Sequence, residues 1–444
     1  MGNVRFEAIN VLDKVLNKGA YSNLALDSGI KKAGLSSLDN ALLTEIVYGT
    51  LKYKYTIDTI LKEYLKDMEK TNKGILNILR ISIFQLKYLD KIPDFAVLNE
   101  AVNLAKKVSA PHSKLVNGVL RNYLRNSKKI EFKDKVLDMS FKYSFLPWMT
   151  KLFIKQQGEM EAENILEGLN KTPGINVRVN RLKTNFEEAY KELKDFGYQV
   201  KKGSVSPYSI NITNGKSIES NPLFSKGYIT VQDESAMLPA EILDLDGEMT
   251  VLDMCSAPGG KTTEIAEIME NRGKVYAFDL YENKLKLIKE SCDRLGIKNV
   301  EISKWDATII NNEFINKADR VLLDVPCSGL GIIRKKPEIK WNKNIDEISS
   351  LINIQRRILT NGSRYLKPGG ILVYSTCTLN KNENEDNINW FLEKNKDYEA
   401  VKIDLPSFHN FHNTSEGYLT IFPDEYMDGF FMAKLKKIKQ VQYE

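Results

Sequence analysis

The stretch VLDMCSAPGGKTTEIAEIM, residues 251–269, decides how the C-terminal half of the chain folds. An apolar run ends at Asp253, a loop with two glycines follows, and a helical pattern begins at Lys261. This order is typical of cofactor sites, because glycine lets the backbone approach a ligand and the helix start presents free N–H groups. The loop therefore supplies candidate ligand contacts: Cys255, Ser256, Ala257, Pro258, Gly259, Gly260 and Lys261.

The same strand–helix alternation extends outward from this stretch, over residues 236–440. The apolar runs KVYAFD, NVEISKWD, RVLLDV and GILVYSTC are candidate strands, and helical patterns begin near Glu282, near residue 346 and at NENEDN. Alternation of this kind predicts a mostly parallel sheet with helices on both faces. Ligands of such sheets bind beyond the carboxyl ends of the strands, which is where every motif of this region lies.

Two classes of ligand compete for the glycine-rich loop. GGKTT ends like a phosphate-binding P-loop, but that motif requires glycine at the position of Cys255, and Pro258 removes a backbone donor. Asp279 ends the second strand, where an acid can accept hydrogen bonds from ribose hydroxyls, and Asp306 follows the third, within reach of an adenine amino group. A nucleoside held in this way predicts S-adenosylmethionine as the cofactor, with a nucleoside triphosphatase as the rival.

Carbon chemistry is indicated by the motifs after the fourth and fifth strands. DVPCSG carries Asp324 and Cys327, and YSTCTL carries Cys377. Adjacent strand ends would bring the aspartate and the two thiols into one pocket. A ring carbon such as cytosine C5 is not nucleophilic, so a thiolate must first add at C6 to form an enamine that can attack a methyl group. The alternative for either cysteine alone is a small buried hydrophobic residue.

Composition limits the class of protein. The 444 residues are 42% hydrophobic and 27% charged, with a net charge of +6, as expected of a soluble multidomain protein. No apolar run approaches the roughly 18 residues of a membrane span, so we expect a cytoplasmic protein. The four cysteines are too widely spaced for a zinc site or a disulfide framework, and we expect no metal.

The N-terminal region, residues 1–132, has helical periodicity throughout and predicts a helical bundle. Residues 101–130 include seven basic residues and no acidic one, which favours a polyanionic partner. In KLVNGVLRNYLRNSKK the basic residues are spaced along one side of the helix, opposite an apolar side. RNA contact and a solvated helix face are the two interpretations of this stripe, Lys114, Arg121, Arg125 and Lys128.

Two further basic segments are candidate RNA contacts. Residues 133–235 predict a small α/β domain in which Arg178 and Arg181 face RNA. The loop RKKPEIKWNK, residues 334–343, follows the cysteine motif, and its Trp341 offers a stacking surface for an extruded nucleotide. A solvated loop explains this segment equally well. Its candidate RNA contacts are Arg334, Lys335 and Lys336.

Taken together, the motifs resemble a known family. MCSAPGGKTT, DVPCSGLG, YSTCTL and DGFFMAKL are similar to the RNA 5-methylcytosine methyltransferases of the Nol/Nop2/Sun group, and LVNGVLRNYLR resembles the NusB RNA-binding fold. GYITVQDESAML resembles the segment that enters the catalytic domain in this group. The whole chain resembles the bacterial Sun/Fmu enzymes that methylate 16S rRNA. The resemblance implies an all-α NusB-like bundle (1–132), a small RRM-like α/β adaptor (133–235) and a Rossmann-like methyltransferase (236–440).

The resemblance also assigns roles. Cys377 would be the nucleophile, Cys327 would assist release of the methylated base, and Asp324 would contact the base edge at N3 and N4. Lys261 would help hold the carboxylate or the thiolate, although a surface lysine at a helix start is the alternative. The implied partner is free or early-assembly 16S rRNA, bound by a monomer. A non-catalytic RNA-binding factor is the second rival, but it should lack Cys377 and Asp324.

Overall fold

The computed structural model describes residues 3–126, 128–214, 217–406, 408–413 and 417–438. The chain forms two compact units. The helical unit comprises Met1–Asn170 and Ile333–Lys343, and the α/β unit comprises Lys171–Ile332 and Asn344–Glu444. The boundary proposed at residue 132 thus falls inside the helical unit. Among the described helices, none has the length and apolarity needed to cross a bilayer.

The helical unit is a bundle whose apolar stripes face two connected cores, as the helical periodicity predicted. Helices α1, α3, α5 and α7 have polar N-caps: Asn3, Ser36, Asn72 and Ser109 each accept a backbone N–H of the first turn. The helices are α1 (Val4–Lys18), α2 (Ser22–Ala33), α3 (Ser37–Lys52), α4 (Lys54–Lys62), α5 (Lys73–Tyr88), α6 (Asp94–Val108), α7 (Ala110–Arg125), α8 (Lys135–Tyr143), α9 (Pro147–Gln157) and α10 (Glu159–Gly168).

The 333–343 segment, which belongs to the helical unit, is buried rather than solvated. Lys340 is 0% exposed, and its Nζ donates to the carbonyl oxygens of Lys52 and Ser144 and to Oδ1 of Asn170, at 3.0–3.1 Å. Burial, followed by the charge of Lys52, lowers the pKa of Lys340 well below its ordinary value. The lysine therefore joins the segment to the bundle.

Trp341 lies in the same part of the helical unit. Its Nε1 donates to the carbonyl oxygen of Leu51 at 3.0 Å, its ring packs against the core, and the Nζ of Lys54 lies 4.7 Å from the ring centroid. The prediction that Trp341 stacks on an extruded nucleotide is therefore wrong, because the indole is already packed within the bundle.

The α/β unit begins with a small antiparallel sheet in the order β2-β3-β1-β4, which has its own apolar core. Its strands are short and rich in β-branched residues, which fits the small α/β domain predicted for this region. Its elements are β1 (Ile175–Val179), α11 (Phe186–Asp195), β2 (Gln199–Lys202), β3 (Ser209–Asn214), α12 (Pro222–Ser225) and β4 (Ile229–Val231), and a short 3₁₀ turn covers Ile218–Ser220.

A large sheet follows, with parallel strands β9-β8-β5-β6-β7 extended by the antiparallel strands β13, β12 and β11. Apolar cores cover both of its faces, as its continuous apolar strands predicted. Its elements are α13 (Glu234–Glu241), β5 (Thr250–Asp253), α14 (Gly260–Ile268), β6 (Lys274–Asp279), α15 (Glu282–Leu295), β7 (Val300–Lys304), β8 (Ala318–Asp324), α17 (Ile345–Tyr365), β9 (Leu366–Thr376), α18 (Glu385–Lys394), β10 (Tyr398–Ala400), β11 (Phe411–Asn413), β12 (Tyr418–Ile421) and β13 (Phe430–Lys437); α16 (Ile339–Asn342) lies in the helical unit, and Asn312–Phe314 form a 3₁₀ turn.

Candidate active site

The strand register brings the motif residues to one edge of the large sheet. β5 and β8 are parallel neighbours in which Asp253 pairs with Leu322, and β8 and β9 are parallel neighbours in which Asp324 pairs with Ser375. The DVPCSG and YSTCTL motifs therefore leave adjacent strands in the same direction. This adjacency is what the sequence required for a shared pocket.

The glycine-rich loop is held by its own backbone and by Asp279. Ser256 donates to the carbonyl oxygen of Phe278 through both its N–H and its hydroxyl, each at 2.8 Å, and Ala257 N–H donates to Oδ2 of Asp279 at 3.2 Å. Gly259 has φ of 103° and precedes α14. A Cβ at this position would lie 3.2 Å from Cα of Ile288, so the turn requires glycine.

This geometry argues against the triphosphatase rival. The N–H groups of Ser256, Ala257 and Gly259 already donate to Phe278, Asp279 and Ser256, at 2.7–3.2 Å. Pro258 has no N–H. A P-loop leaves such groups available to phosphate, whereas this loop directs one of them at a carboxylate, which would repel phosphate.

Asp253 lies beneath the loop and is 1% exposed. Its Oδ2 accepts the hydroxyl of Thr262 at 2.6 Å, while its Oδ1 has no hydrogen-bond partner within the described ranges. Burial raises the pKa of Asp253 to about 7, although the Thr262 hydrogen bond opposes this shift. A buried acceptor without a partner is suited to a donor from a ligand, such as an ammonium group.

A cavity of about 230 Å³ lies against the glycine-rich loop, and Asp253 is one of the residues that line it. One wall of the cavity comes from the GYITVQDESAML segment, around the end of β4 and the start of α13. The sequence analysis related this segment to the entry into the catalytic domain, but it did not identify these residues as part of the site. S-adenosylmethionine fits these donors and acceptors, since its ammonium group can satisfy Asp253. The lining comprises Val231, Gln232, Asp233, Ala236, Asp253, Cys255, Ser256, Ala257, Pro258, Gly260, Lys261 and Asp324.

Asp279 and Asp306 lie outside that lining. Asp279 is largely buried, and its Oδ1 accepts the N–H of Tyr281 at 3.1 Å, so it anchors two backbone segments. Asp306 is half-buried, and its Oδ1 accepts both the N–H and the hydroxyl of Thr308, at 2.9 and 2.7 Å. Both acids lie at or just beyond strand ends, and their contacts with ribose and adenine stay predictions.

Lys261 contacts a carboxylate, as the resemblance suggested. Its Nζ lies 2.8 Å from Oδ2 of Asp324, and the Ser375 hydroxyl donates to Oδ1 of the same aspartate at 2.9 Å. Burial is the largest single influence on Lys261 and would lower its pKa, but the charge and hydrogen bond of Asp324, together with the charges of Cys377 and Asp253, outweigh burial and raise the pKa. The lysine is therefore a cation, and Asp324 is held at both oxygens.

The two cysteines of the motifs meet. The Sγ atoms of Cys327 and Cys377 are 3.3 Å apart, and both residues are half-buried. The hydrogen bond with Cys377, burial, the Cys377 charge and the Glu383 charge raise the pKa of Cys327 well above its ordinary value. Gly331 N–H donates to the carbonyl oxygen of Cys377 at 2.9 Å, which ties the two loops together.

Arg178 is not an RNA contact, contrary to the prediction. It is 0% exposed, and its guanidinium binds Glu267 and Thr263 of α14 and the carbonyl oxygen of Gly260, at 2.8–3.2 Å. Arg178 lies in β1, whose side chains alternate between the two faces of the small sheet. The face that carries Arg178 packs on the start of α14, so the guanidinium faces this helix rather than solvent. Arg178 thus stabilises the start of α14.

The basic stripe of α7 is exposed and its apolar side is buried, as the periodicity predicted. Lys114, Arg121 and Arg125 lie on the helix surface. Lys128 lies beyond the end of the helix at Arg125 and pairs with Glu63 at 3.1 Å, so it does not extend the stripe. RNA contact by these residues stays a prediction.

The remaining basic candidates differ in exposure. Arg334 is buried in the helical unit, so the prediction of a surface RNA contact is wrong for it. Lys335 and Lys336 are half-buried, and Lys336 Nζ lies 5.8 Å from the ring centroid of Tyr21. Arg181 stacks on Tyr208 at 3.7 Å and is half-buried. RNA contact by Lys335, Lys336 and Arg181 stays a prediction.

Three family models match consecutive parts of the chain. Residues 3–125 match the NusB family, residues 147–219 match the ferredoxin-like domain of RsmF/B-like methyltransferases, and residues 240–436 match the 16S rRNA methyltransferase RsmB/F family. The predicted fold, a NusB-like bundle, a small α/β domain and a Rossmann-like methyltransferase, is confirmed.

Curated relatives align over nearly the full length. The probable ribosomal RNA small subunit methyltransferase B of Bacillus subtilis is 38% identical, covering 98% of each chain. A probable enzyme of the same name from Synechocystis is 36% identical, covering 97% of this chain and 98% of its own. The ribosomal RNA small subunit methyltransferase B of Serratia proteamaculans is 32% identical, covering 98% and 99%.

Solved structures also resemble this chain over most of its length. The crystal structure of PH0851 has 30% identity and a TM-score of 0.84, covering 97% of this chain and 98% of that chain. A methyltransferase homolog from Pyrococcus horikoshii has 33% identity and a TM-score of 0.61, covering 69% and 100%. The predicted cofactor, S-adenosylmethionine, is confirmed by the methyltransferase family that these relationships establish. The chain belongs to the ribosomal RNA small subunit methyltransferase B family and is an S-adenosylmethionine-dependent methyltransferase.

Proposed function

We propose that this protein methylates C5 of a cytidine in 16S rRNA, through a transient bond between Cys377 and C6 of the base. The observation that carries the proposal is the 3.3 Å separation of the Cys327 and Cys377 Sγ atoms, beside the carboxylate of Asp324. Methylation of oxygen or of an amino nitrogen needs no thiol, whereas methylation at C5 needs a nucleophile at C6. The family description supports 16S rRNA as the substrate.

Cys377 begins the reaction by adding its thiolate to C6, which moves electron density to C5. Lys261 and Ser375 hold Asp324, and Asp324 contacts the base edge at N3 and N4, where it stabilises the adduct. S-adenosylmethionine supplies the electrophilic methyl group. Residues 255–261 would hold the cofactor together with Asp253 and Asp279, and Asp306 would contact its adenine.

Cys327 assists the release of the product. Release breaks the C6–S bond and the C5–H bond, so that the C5=C6 double bond re-forms: the C5 proton passes to water and the Cys377 sulfur leaves as a thiolate. The raised pKa of Cys327 keeps it a thiol at neutral pH, so its S–H can donate to that departing sulfur. A hydrogen bond to the departing sulfur lowers the barrier to cleavage. Without Cys327, the adduct should therefore persist.

RNA would reach the protein along the exposed basic face of α7, at Lys114, Arg121 and Arg125. Such cations contribute affinity through phosphate contacts and make it dependent on salt. The target cytidine must be extruded from its stack, so free or early-assembly RNA is the proposed substrate. We propose that the enzyme acts as a cytoplasmic monomer.

The test is transfer of labelled methyl groups to unmodified 16S rRNA, followed by denaturing gels of cysteine variants. Cys377→Ala should abolish both turnover and the covalent protein–RNA adduct, whereas Cys327→Ala should accumulate the adduct. Cys292→Ala is the matched control, because this cysteine lies on α15 away from the motifs.

Two outcomes would contradict the proposal. An adduct that forms in Cys377→Ala but not in Cys327→Ala would reverse the roles of the two cysteines. Turnover that survives both substitutions would exclude covalent catalysis and with it the assignment of C5 as the methylated atom.

A further inference from the structure

Glu383 occupies a position that the reaction chemistry does not account for. It lies in the loop between β9 and α18 and is 0% exposed. Its Oε2 accepts the N–H of Ser328 and the Nε2 of Gln355, each at 2.9 Å, and its Oε1 accepts the Ser328 hydroxyl at 2.5 Å and the Nδ2 of Asn380 at 3.1 Å. Four donors therefore surround this one buried carboxylate.

These contacts link the two cysteine loops. Ser328 directly follows Cys327, and Asn380 lies three residues beyond Cys377. A further hydrogen bond of 2.8 Å joins the Ser328 and Thr378 hydroxyls. The carboxylate thus holds the backbone after Cys327 against the backbone after Cys377, at the point where the two sulfurs meet.

The charges around the two sulfurs are unequal. The Glu383 charge disfavours the thiolate of Cys327, while Lys261 is the cation that interacts with the charge of Cys377. The anion therefore keeps Cys327 a thiol, and the cation stands near the Cys377 sulfur. The charged and titratable groups that face this pair are Glu383, Lys261, Asp324 and Tyr374.

We propose that Glu383 is a positioning residue that fixes the two cysteine loops against each other and holds Cys327 in its protonated form, which leaves Cys377 as the nucleophile. The proposal rests on the proposed function for what those roles are. It adds the reason why two thiols in contact differ in reactivity.

The test measures the reactivity of Cys327 in the absence of RNA and cofactor. Its result is therefore independent of methyl transfer, and either the Glu383 proposal or the proposed function can fail while the other holds. In the full-length Cys377→Ser protein, alkylation of Cys327 by iodoacetamide is followed against pH by peptide mass spectrometry. Adding Glu383→Gln should lower the pH midpoint by about one unit, which is about tenfold faster alkylation below both midpoints. Asp386→Asn, which removes an exposed carboxylate three residues on, should leave the midpoint unchanged.

An unchanged midpoint in Glu383→Gln, or an equal fall in Asp386→Asn, would overturn the proposal. Ser328→Ala keeps the test decisive if Glu383→Gln does not fold, because it retains the charge and removes one donor. Without the Ser328 hydroxyl, the negative charge of Glu383 is less compensated by hydrogen-bond donors. The pH midpoint for alkylation of Cys327 should therefore rise. A fall or no change in Ser328→Ala would overturn the proposal.

Discussion

Asp253→Asn should change how the stability of the α/β unit depends on pH. Asp253 is buried, has one oxygen without a partner among the described residues, and has a pKa of about 7 instead of 3.8. A carboxyl whose pKa is raised by folding favours the folded state fully only below its unfolded pKa. This contribution is lost as pH rises from about 4 to about 7, because the folded protein must then ionise a buried group.

The magnitude follows from the shift. About 3 pH units correspond to about 4 kcal/mol, which is an upper limit because water reaching the group would relieve part of it. Asparagine keeps an oxygen for the Thr262 hydroxyl and carries no charge. The substitution should therefore leave stability unchanged near pH 4 and increase it progressively up to pH 7, with a constant difference above that.

The assay is thermal unfolding between about pH 4 and pH 8.5, where about 4 kcal/mol corresponds to about 8–10 °C in a unit of this size. Asp246→Asn is the control, since it removes an exposed carboxylate a few residues before β5. Parallel pH profiles for the parent and Asp253→Asn would refute the reasoning. So would a gain that is as large at pH 4 as at pH 8.

Three further predictions concern neighbouring contacts. Arg178→Met leaves two buried carboxylates without their cation and should lower unfolding stability by about 3–5 kcal/mol in urea titrations; a loss below 1 kcal/mol would contradict the buried ion pair. Gly259→Ala should weaken S-adenosylmethionine binding at least tenfold by calorimetry, whereas Gly118→Ala, which meets no atom within 4 Å, should not. Arg121→Glu with Arg125→Glu should weaken 16S rRNA binding and flatten its salt dependence; an unchanged salt slope would place RNA elsewhere.

Local sequence patterns predicted much of the fold and the meeting of the two cysteines. Strand ends are marked by Asp253, Asp279 and Asp324, and parallel strands must place such residues at one edge. The contact between Cys327 and Cys377 follows from β8 and β9 being neighbours, which the motifs implied and the register established.

What the sequence could not predict depends on partners far along the chain. Arg178 is buried because Glu264 and Glu267, more than 80 residues away, face it, and an isolated arginine in a strand gives no sign of this. Trp341 is enclosed by residues near position 51, although its neighbours are basic enough to indicate a solvated loop. Glu383 lies in a polar run, NKNENE, that is typical of a surface turn.

The 333–343 segment also has a consequence for synthesis of the protein. Residues 1–170 leave the ribosome first. Lys340 and Trp341, which complete the packing of residues 1–170, are synthesised about 170 residues later. At roughly 5–20 residues per second, this interval is on the order of 10–35 s. We therefore expect the nascent helical unit to remain open to proteases and chaperones until residue 343 emerges, so its last folding step comes late in translation.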